Sequence, residues 1–119
     1  GTALGFAVTQ PAIIALAVLP LSVLLLGMGS DMHTASLFPG APELAAALAL
    51  DAPAVVPIHP AGQEPRVSLS GPILSGAMSK HAVIFGAEKR AAFEAAQSMA
   101  AADAPILSAG RDLHVHWAE

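Results

Sequence analysis

The chain contains no cysteine, which excludes disulfides and thiolate metal sites and leaves the redox compartment open. Positive charge is scarce: five Lys and Arg against nine Asp and Glu give a formal net charge of −4. So few cations cannot build the basic stripe that tracks a nucleic-acid backbone, so no nucleic-acid partner is expected. A small phosphorylated metabolite needs only a few well-placed cations and stays within reach. No Gly-x-Ser-x-Gly element is present, so a serine-hydrolase elbow has no support. The first thirty residues lack any ionisable side chain, which raises a membrane segment or signal peptide. Pro11 and Pro20 interrupt that run, Thr9 and Gln10 sit inside it, and no Lys or Arg flanks it. It resolves better into helix, proline break and strand, so no membrane partner is expected.

What is present points to one α/β domain over residues 1–119. Hydrophobic residues make up 55% of the chain and mean hydropathy is +0.63. Much of that is alanine, which favours helix but buries little area, so the aliphatic strands must supply the core. Pro11 suits the first turn of a helix over 11–18, which Pro20 ends. Ser22–Leu26 reads as a central strand, Pro42–Leu50 as a short helix and Ala54–Ile58 as a second strand. Val67–Leu69 reads as extended, and Ser70 or Gly71 can cap a helix running to about Met78. Ala82–Phe85 is a third strand, Ala87–Ala102 a helix that Asp103-Ala104-Pro105 stops, and Asp112–Trp117 a fourth strand. The alternation predicts a Rossmann-like layered parallel sheet with right-handed crossovers and helices on both faces.

The informative stretch is Gly27-Met28-Gly29-Ser30-Asp31-Met32-His33-Thr34-Ala35-Ser36-Leu37-Phe38-Pro39-Gly40, directly after Val23-Leu24-Leu25-Leu26. It reads as a buried strand opening into a polar loop that holds an acid, a histidine and two hydroxyls. In open α/β sheets ligands bind outside the carboxyl ends of strands, where this loop falls.

This stretch resembles the signature of the 6-phosphogluconolactonases, a branch of the sugar-phosphate isomerase and deaminase superfamily, with the approximate pattern LLGMG-x-DGHTASLFPG. Glu64-Pro65-Arg66-Val67-Ser68-Leu69-Ser70 resembles the family's RITLT segment. Ile84-Phe85-Gly86-Ala87-Glu88-Lys89-Arg90 resembles its G-x-x-K segment, and Ala104-Pro105-Ile106 and His116-Trp117-Ala118 look like bacterial members. Thr34-Ala35-Ser36-Leu37-Phe38-Pro39-Gly40 favours the lactonase over the deaminase branch, whose histidine precedes a different run. The resemblance spans about residues 20–118 and matches only the C-terminal half of a family member. It implies a cytoplasmic hydrolase of the oxidative pentose phosphate pathway that takes a small phosphorylated sugar lactone and needs no cofactor or metal.

Lactone hydrolysis needs a base for water, donors for the oxyanion and an anchor for the phosphate. The resemblance assigns His33 as the base, a role worth ~10² to 10⁴ in rate for a positioned group. Asp31 can fix the imidazole tautomer, or close an Asx-turn that shapes the loop. Arg66 offers a planar fork of donors for phosphate or sugar oxygens. Lys89, in the first turn of its helix, offers a mobile charge beside free N–H groups, although Glu88-Lys89-Arg90 also reads as a solvated face. Thr34 and Ser36 can donate to substrate hydroxyls, or one of them can cap a helix. The backbone N–H groups of Gly27, Met28 and Gly29 can face an anion. No further glycine completes a dinucleotide fingerprint. Leu37 and Phe38 read as core residues that pin the loop. His114 and His116 share a strand face and could offer two metal ligands, but no third is apparent, and a half-exposed strand face is the preferred explanation. His59 and His81 have no supporting pattern.

Two departures from the family pattern bear on the site. Met32 stands where the family has glycine, and at φ > 0 a methionine would strain the loop by ~1 to 2 kcal/mol. The family's N-terminal half, with its Gly- and Ser-rich phosphate loop, has no counterpart here. A truncated sheet would expose an edge strand, so the alternative to a lactonase is a noncatalytic fragment that self-associates. Partners expected on this reading are a second copy or a complementing N-terminal half.

Overall fold

A computed structural model describes residues 19–119, and the helix expected over 11–18 lies outside them. Apolar β1 (Val23–Leu26) pairs in parallel with β4 (Ser79–Phe85), Val23 opposite Ser79 and Leu26 opposite Ala82. β5 (His114–Ala118) adds in parallel on the other side of β4, giving the order β1-β4-β5. The parallel sheet and its helices match the expected α/β class.

The second and third extended segments do not join that sheet. β2 (Val55–Ile58) and β3 (Arg66–Leu69) form their own two-stranded antiparallel sheet, with Ile58 opposite Arg66 and Val55 opposite Leu69. Chain length is the reason. Residues 59–65 alone separate the strands, and a parallel crossover needs about a dozen residues, so the chain can only turn back as a hairpin. Pro57 removes one N–H and is accommodated because every strand of a two-stranded sheet has a free edge.

The helices are shorter than the sequence predicts: α1 is Leu44–Leu48, α2 is Gly71–Ser75 and α3 is Ala87–Ala96. After Ala96 the chain breaks into turns and then a 3₁₀ segment, Pro105–Ala109, instead of continuing to residue 102. Burial explains the early stop, since Ala96, Ala104, Ile106 and Ala109 all enter the same core, and a straight helix would carry the later ones away from it. Ser70 occupies the N-cap position of α2, yet its hydroxyl caps nothing and has no hydrogen-bond partner. Pro72 has no N–H to offer it, and the amides of Ile73 and Leu74 donate to the Ser70 carbonyl instead.

The strand pleat sorts side chains between two faces. Leu24 and Leu26 of β1, with Ala82 and Ile84 of β4, point into a core closed by Leu37, Phe38, Leu44, Leu74 and Ile106. Their neighbours point away: Val23, Leu25 and Phe85 are 65%, 68% and 63% exposed. Among the described residues, packing therefore covers one face of the parallel sheet.

β4 starts three residues earlier than predicted because Lys80 disguises it. This lysine is 3% exposed on the core side, where it donates to the carbonyls of Ser75 at 2.9 Å and Ala109 at 2.7 Å and pairs with the Asp112 carboxylate. All three ammonium hydrogens thus have partners, which makes a buried cation tolerable and ties α2, the 3₁₀ segment and the approach to β5 onto one strand. The hydrogen bond from Lys80 outweighs the desolvation of Asp112 and holds its carboxyl below the usual value. A carboxyl with a depressed folded pKa contributes stability above its unfolded pKa and loses it as pH falls through the folded one. Asp112→Asn should therefore unfold at a lower temperature than the parent chain at pH 7. That gap should close below the ordinary carboxyl value of 3.8, as the parent's own Asp112 protonates, and thermal unfolding across pH measures it.

Candidate active site

β1 ends at Leu26, and the chain turns at once into the polar loop. The Gly29 amide donates to the His33 carbonyl at 3.0 Å and the Met32 amide to the Gly29 carbonyl at 2.9 Å. That tight closure brings the His33 ring over Gly29: a Cβ built on Gly29 would sit 2.2 Å from both Nδ1 and Cε1 of the imidazole and 2.8 Å from Oδ1 of Asp31. Glycine is required here for the space it leaves. The expectation that its N–H faces an anion is not met, because that group is spent inside the loop.

Asp31 fills both roles that the sequence left open. Its Oδ1 accepts the backbone N–H of His33 at 3.1 Å, an Asx-turn, and lies 2.5 Å from Nδ1 of the same residue. Partial burial works against ionisation of Asp31, but the hydrogen bonds from the ring and backbone of His33 prevail and hold its carboxyl below the ordinary value. An ionised acceptor at Nδ1 requires that nitrogen to carry the proton, leaving the Nε2 lone pair free in the neutral ring.

Thr34 is almost wholly buried and donates to the Gly27 carbonyl at 2.7 Å, stitching the loop back to the end of β1. Ser36 offers its amide to the Ser68 hydroxyl at 3.1 Å, which ties the loop to the β2–β3 hairpin. Neither caps a helix, since α1 begins only at Leu44 and Glu43 occupies its N-cap position. Phe38 is buried and stacks on His33, with centroids 4.2 Å apart and planes 19° from parallel. Arg66 also lies over the Phe38 ring, Cζ 5.1 Å from the centroid, with Nη2 donating to Gln63 at 3.0 Å.

A cavity of about 520 Å³ opens at the carboxyl end of β1. Gly27, Gly29, His33, Thr34 and Ala35 line it, and Lys89 reaches it from the first turn of α3. Of the two cations singled out in the sequence, Lys89 shares the cavity with His33 and Arg66 stands outside its lining, behind Phe38.

Two other histidine groups show what distinguishes this pair. Glu43 and His59 repeat the bonding pattern, one carboxylate taking both the backbone N–H and Nδ1 of a histidine, and hydrogen bonding from the His59 backbone lowers the Glu43 pKa. That pair lies outside the lining of the cavity that His33 and Lys89 share. The histidines of the outer sheet face number three: His81 of β4 stacks against His114 at 5.4 Å and His116 at 5.2 Å, and its Nδ1 lies 3.0 Å from Nε2 of His116. The sequence reading saw two, and the parallel β4–β5 register supplies the third by setting His81 opposite His114. Among the described residues no group of three or more His, Cys, Asp or Glu is arranged to hold a metal ion. Nor is any helix there long and apolar enough to cross a membrane.

The family profile described as glucosamine-6-phosphate isomerases/6-phosphogluconolactonase matches residues 7–117. The chain belongs to this family. The 6-phosphogluconolactonase of Mesorhizobium japonicum is 39% identical over 106 residues, covering 83% of this chain and 44% of the relative. That of Caulobacter vibrioides is 38% identical over 105 residues, covering 84% of this chain and 45% of the relative. Among solved structures, the 6-phosphogluconolactonase of Shewanella baltica superposes with a TM-score of 0.76 at 28% identity, over 95% of this chain and 52% of that one. The Trypanosoma brucei enzyme gives 0.71 at 26% identity, over 93% and 49%. The chain spans less than half the length of the curated relatives it matches.

Within this family member the loop carries two non-glycine residues in the left-handed region, Ala35 at φ 51° and Met32. Met32 has φ 69°, so the departure from the family glycine falls at a left-handed position, where a side chain costs ~1 to 2 kcal/mol. Met32 also packs partly against the core, so the clean comparison is between two truncations. Met32→Gly should be more stable than Met32→Ala by about 1 kcal/mol in urea unfolding, the reverse of the order in a helix. Gly29→Ala should expel the imidazole from its place, and loss of the downfield Nδ1–H proton resonance of His33 would report it.

Proposed function

We propose that this chain carries the catalytic loop of a 6-phosphogluconolactonase and hydrolyses 6-phosphogluconolactone to 6-phosphogluconate, the lactone step of the oxidative pentose phosphate pathway. The observation that carries this reading is one imidazole, fixed through Nδ1 by a carboxylate, sharing a cavity of about 520 Å³ with a lysine. Family membership and relatives named for that activity support the choice of substrate.

On this reading Nε2 of His33 takes a proton from water as the water oxygen bonds to the lactone carbonyl carbon. The tetrahedral oxyanion then re-forms its carbonyl, the bond to the ring oxygen breaks, and the imidazolium returns its proton to that oxygen as it becomes a hydroxyl. Asp31 stabilises the transient imidazolium and keeps the ring in its productive tautomer. Lys89, with the free N–H groups opening α3, is assigned to the phosphate. Arg66, exposed beyond Phe38, is assigned to the outer end of the sugar acid. Gly27 and Ser36 remain candidates for sugar-oxygen contacts, while the bond from Thr34 to the Gly27 carbonyl supports a structural role for Thr34. No metal or organic cofactor enters the scheme.

The face of the sheet that the described residues leave uncovered, with Val23, Leu25 and Phe85 exposed, supports a companion reading in which the chain works when covered, by a complementing N-terminal half or a second copy. Sedimentation of the purified chain measures this, and a fully active monomer would count against it. For the chemistry, His33→Ala should lower lactone hydrolysis at least ~100-fold, and an unchanged rate would reject the assignment. Lys89→Met should raise KM about tenfold with kcat nearly unchanged, as expected for a group that grips substrate and transition state alike.

A further inference from the structure

A single hydrogen bond does not orient a ring. The Asp31 contact pins Nδ1 of His33, but the imidazole can still swing about that point, and Nε2, at the far side of the ring, moves most when it does. A second contact must set the plane. Phe38 supplies one, its ring 4.2 Å from the imidazole and within 19° of parallel. Phe38 cannot itself drift. It is 5% exposed, belongs to the core cluster, and its carbonyl accepts the Ala41 amide at 3.2 Å.

We infer that Phe38 is a positioning residue for His33, the wall against which the imidazole is held so that Nε2 faces the cavity. This rests on the lactonase reading for its consequence in catalysis, but not for the contact itself. Electrostatics favour the same arrangement. The face of a phenyl ring is negative, so the imidazolium that forms when His33 takes a proton meets an attractive surface. Arg66 also lies over the Phe38 ring, its Cζ 5.1 Å from the centroid. Its Nη2 donates to the exposed Gln63 at 3.0 Å. The sequence marks Phe38 as a core residue that pins the loop. It is core, and the stack gives that core residue a second use.

The test separates orientation from binding. Phe38→Leu keeps an apolar side chain and removes the ring. It should lower kcat of lactone hydrolysis by about ten- to a hundredfold with KM within about twofold, since a small misplacement of a reacting group falls on the chemical step. Phe38→Tyr, which keeps the ring, should restore most of that loss. A spectroscopic arm needs no substrate: the carbon-bound imidazole protons of His33 should lose their ring-current shift in Phe38→Leu and keep it in Phe38→Tyr. Should leucine fail to fold, Phe38→Met fills the same space with an adaptable chain and carries the same expectations. Unchanged kcat, or a loss confined to KM, would overturn the inference, as would imidazole resonances that do not move. If instead His33→Ala leaves hydrolysis untouched while the resonances shift as expected, the lactonase reading fails and the contact stands.

Discussion

The loop that follows β1 depends on Gly29 having no side chain. The ring of His33 occupies the space a Cβ would take, and the carboxylate of Asp31 closes against the same spot. From this one contact the remainder of the loop follows. The Gly29 and Met32 amides can close the turn because the chain comes so near itself, and the turn forces Met32 into the left-handed region. The Asx-turn and the imidazole contact can then use the same carboxylate oxygen. An acid and a histidine two residues apart would ordinarily point in unrelated directions in an irregular segment. Here the absent methyl group makes them a pair.

The loop is held from outside by elements distant in sequence. Thr34 is bonded to the last turn of backbone after β1, and Ser36 reaches the β2–β3 hairpin through Ser68. The Met32 carbonyl accepts the Ile106 amide at 3.0 Å, which attaches the loop to the 3₁₀ segment. That segment is fixed in turn by Lys80, whose ammonium takes the Ala109 carbonyl. A buried cation in the central strand thus bears, through a chain of hydrogen bonds, on where the catalytic candidate sits. Gly110 fits the same scheme. It has φ 98°, and a Cβ there would come 3.0 Å from the lysine nitrogen.

Much of this was legible in the residues and some was not, for identifiable reasons. Val23 to Leu26 and the loop after them could be read because an uninterrupted aliphatic run followed by glycines has few other structural meanings. The hairpin falls where the alternation breaks, because β2 and β3 follow one another with no helix between them. The length of residues 59–65 was the available signal. Lys80 broke the apolar pattern of β4, and only the positions of Ser75, Ala109 and Asp112 in space show why a charge belongs there. The hydroxyls of Thr34 and Ser36 looked alike in sequence. One is buried beneath the loop, while the other residue holds the hairpin through its amide.

The two cations divide for a reason that lies in chain direction. In a parallel sheet every strand delivers its following turn to the same end, so the turn after β4 opens where the turn after β1 does. Lys89 begins the helix that follows β4, and therefore meets the His33 loop across the carboxyl end of the sheet. Arg66 begins β3, in a hairpin outside that sheet, and lies over the Phe38 ring instead of lining the cavity. A phosphate drawn to Lys89 would also face amides at the start of α3, whose partial charge adds to that of the ammonium. The Arg66 guanidinium is already shared between a phenyl face and an amide oxygen. Direct attraction for a doubly charged group is therefore concentrated at Lys89. Arg66, exposed and outside the cavity lining, is placed to act on whatever part of a bound molecule extends beyond the cavity rim.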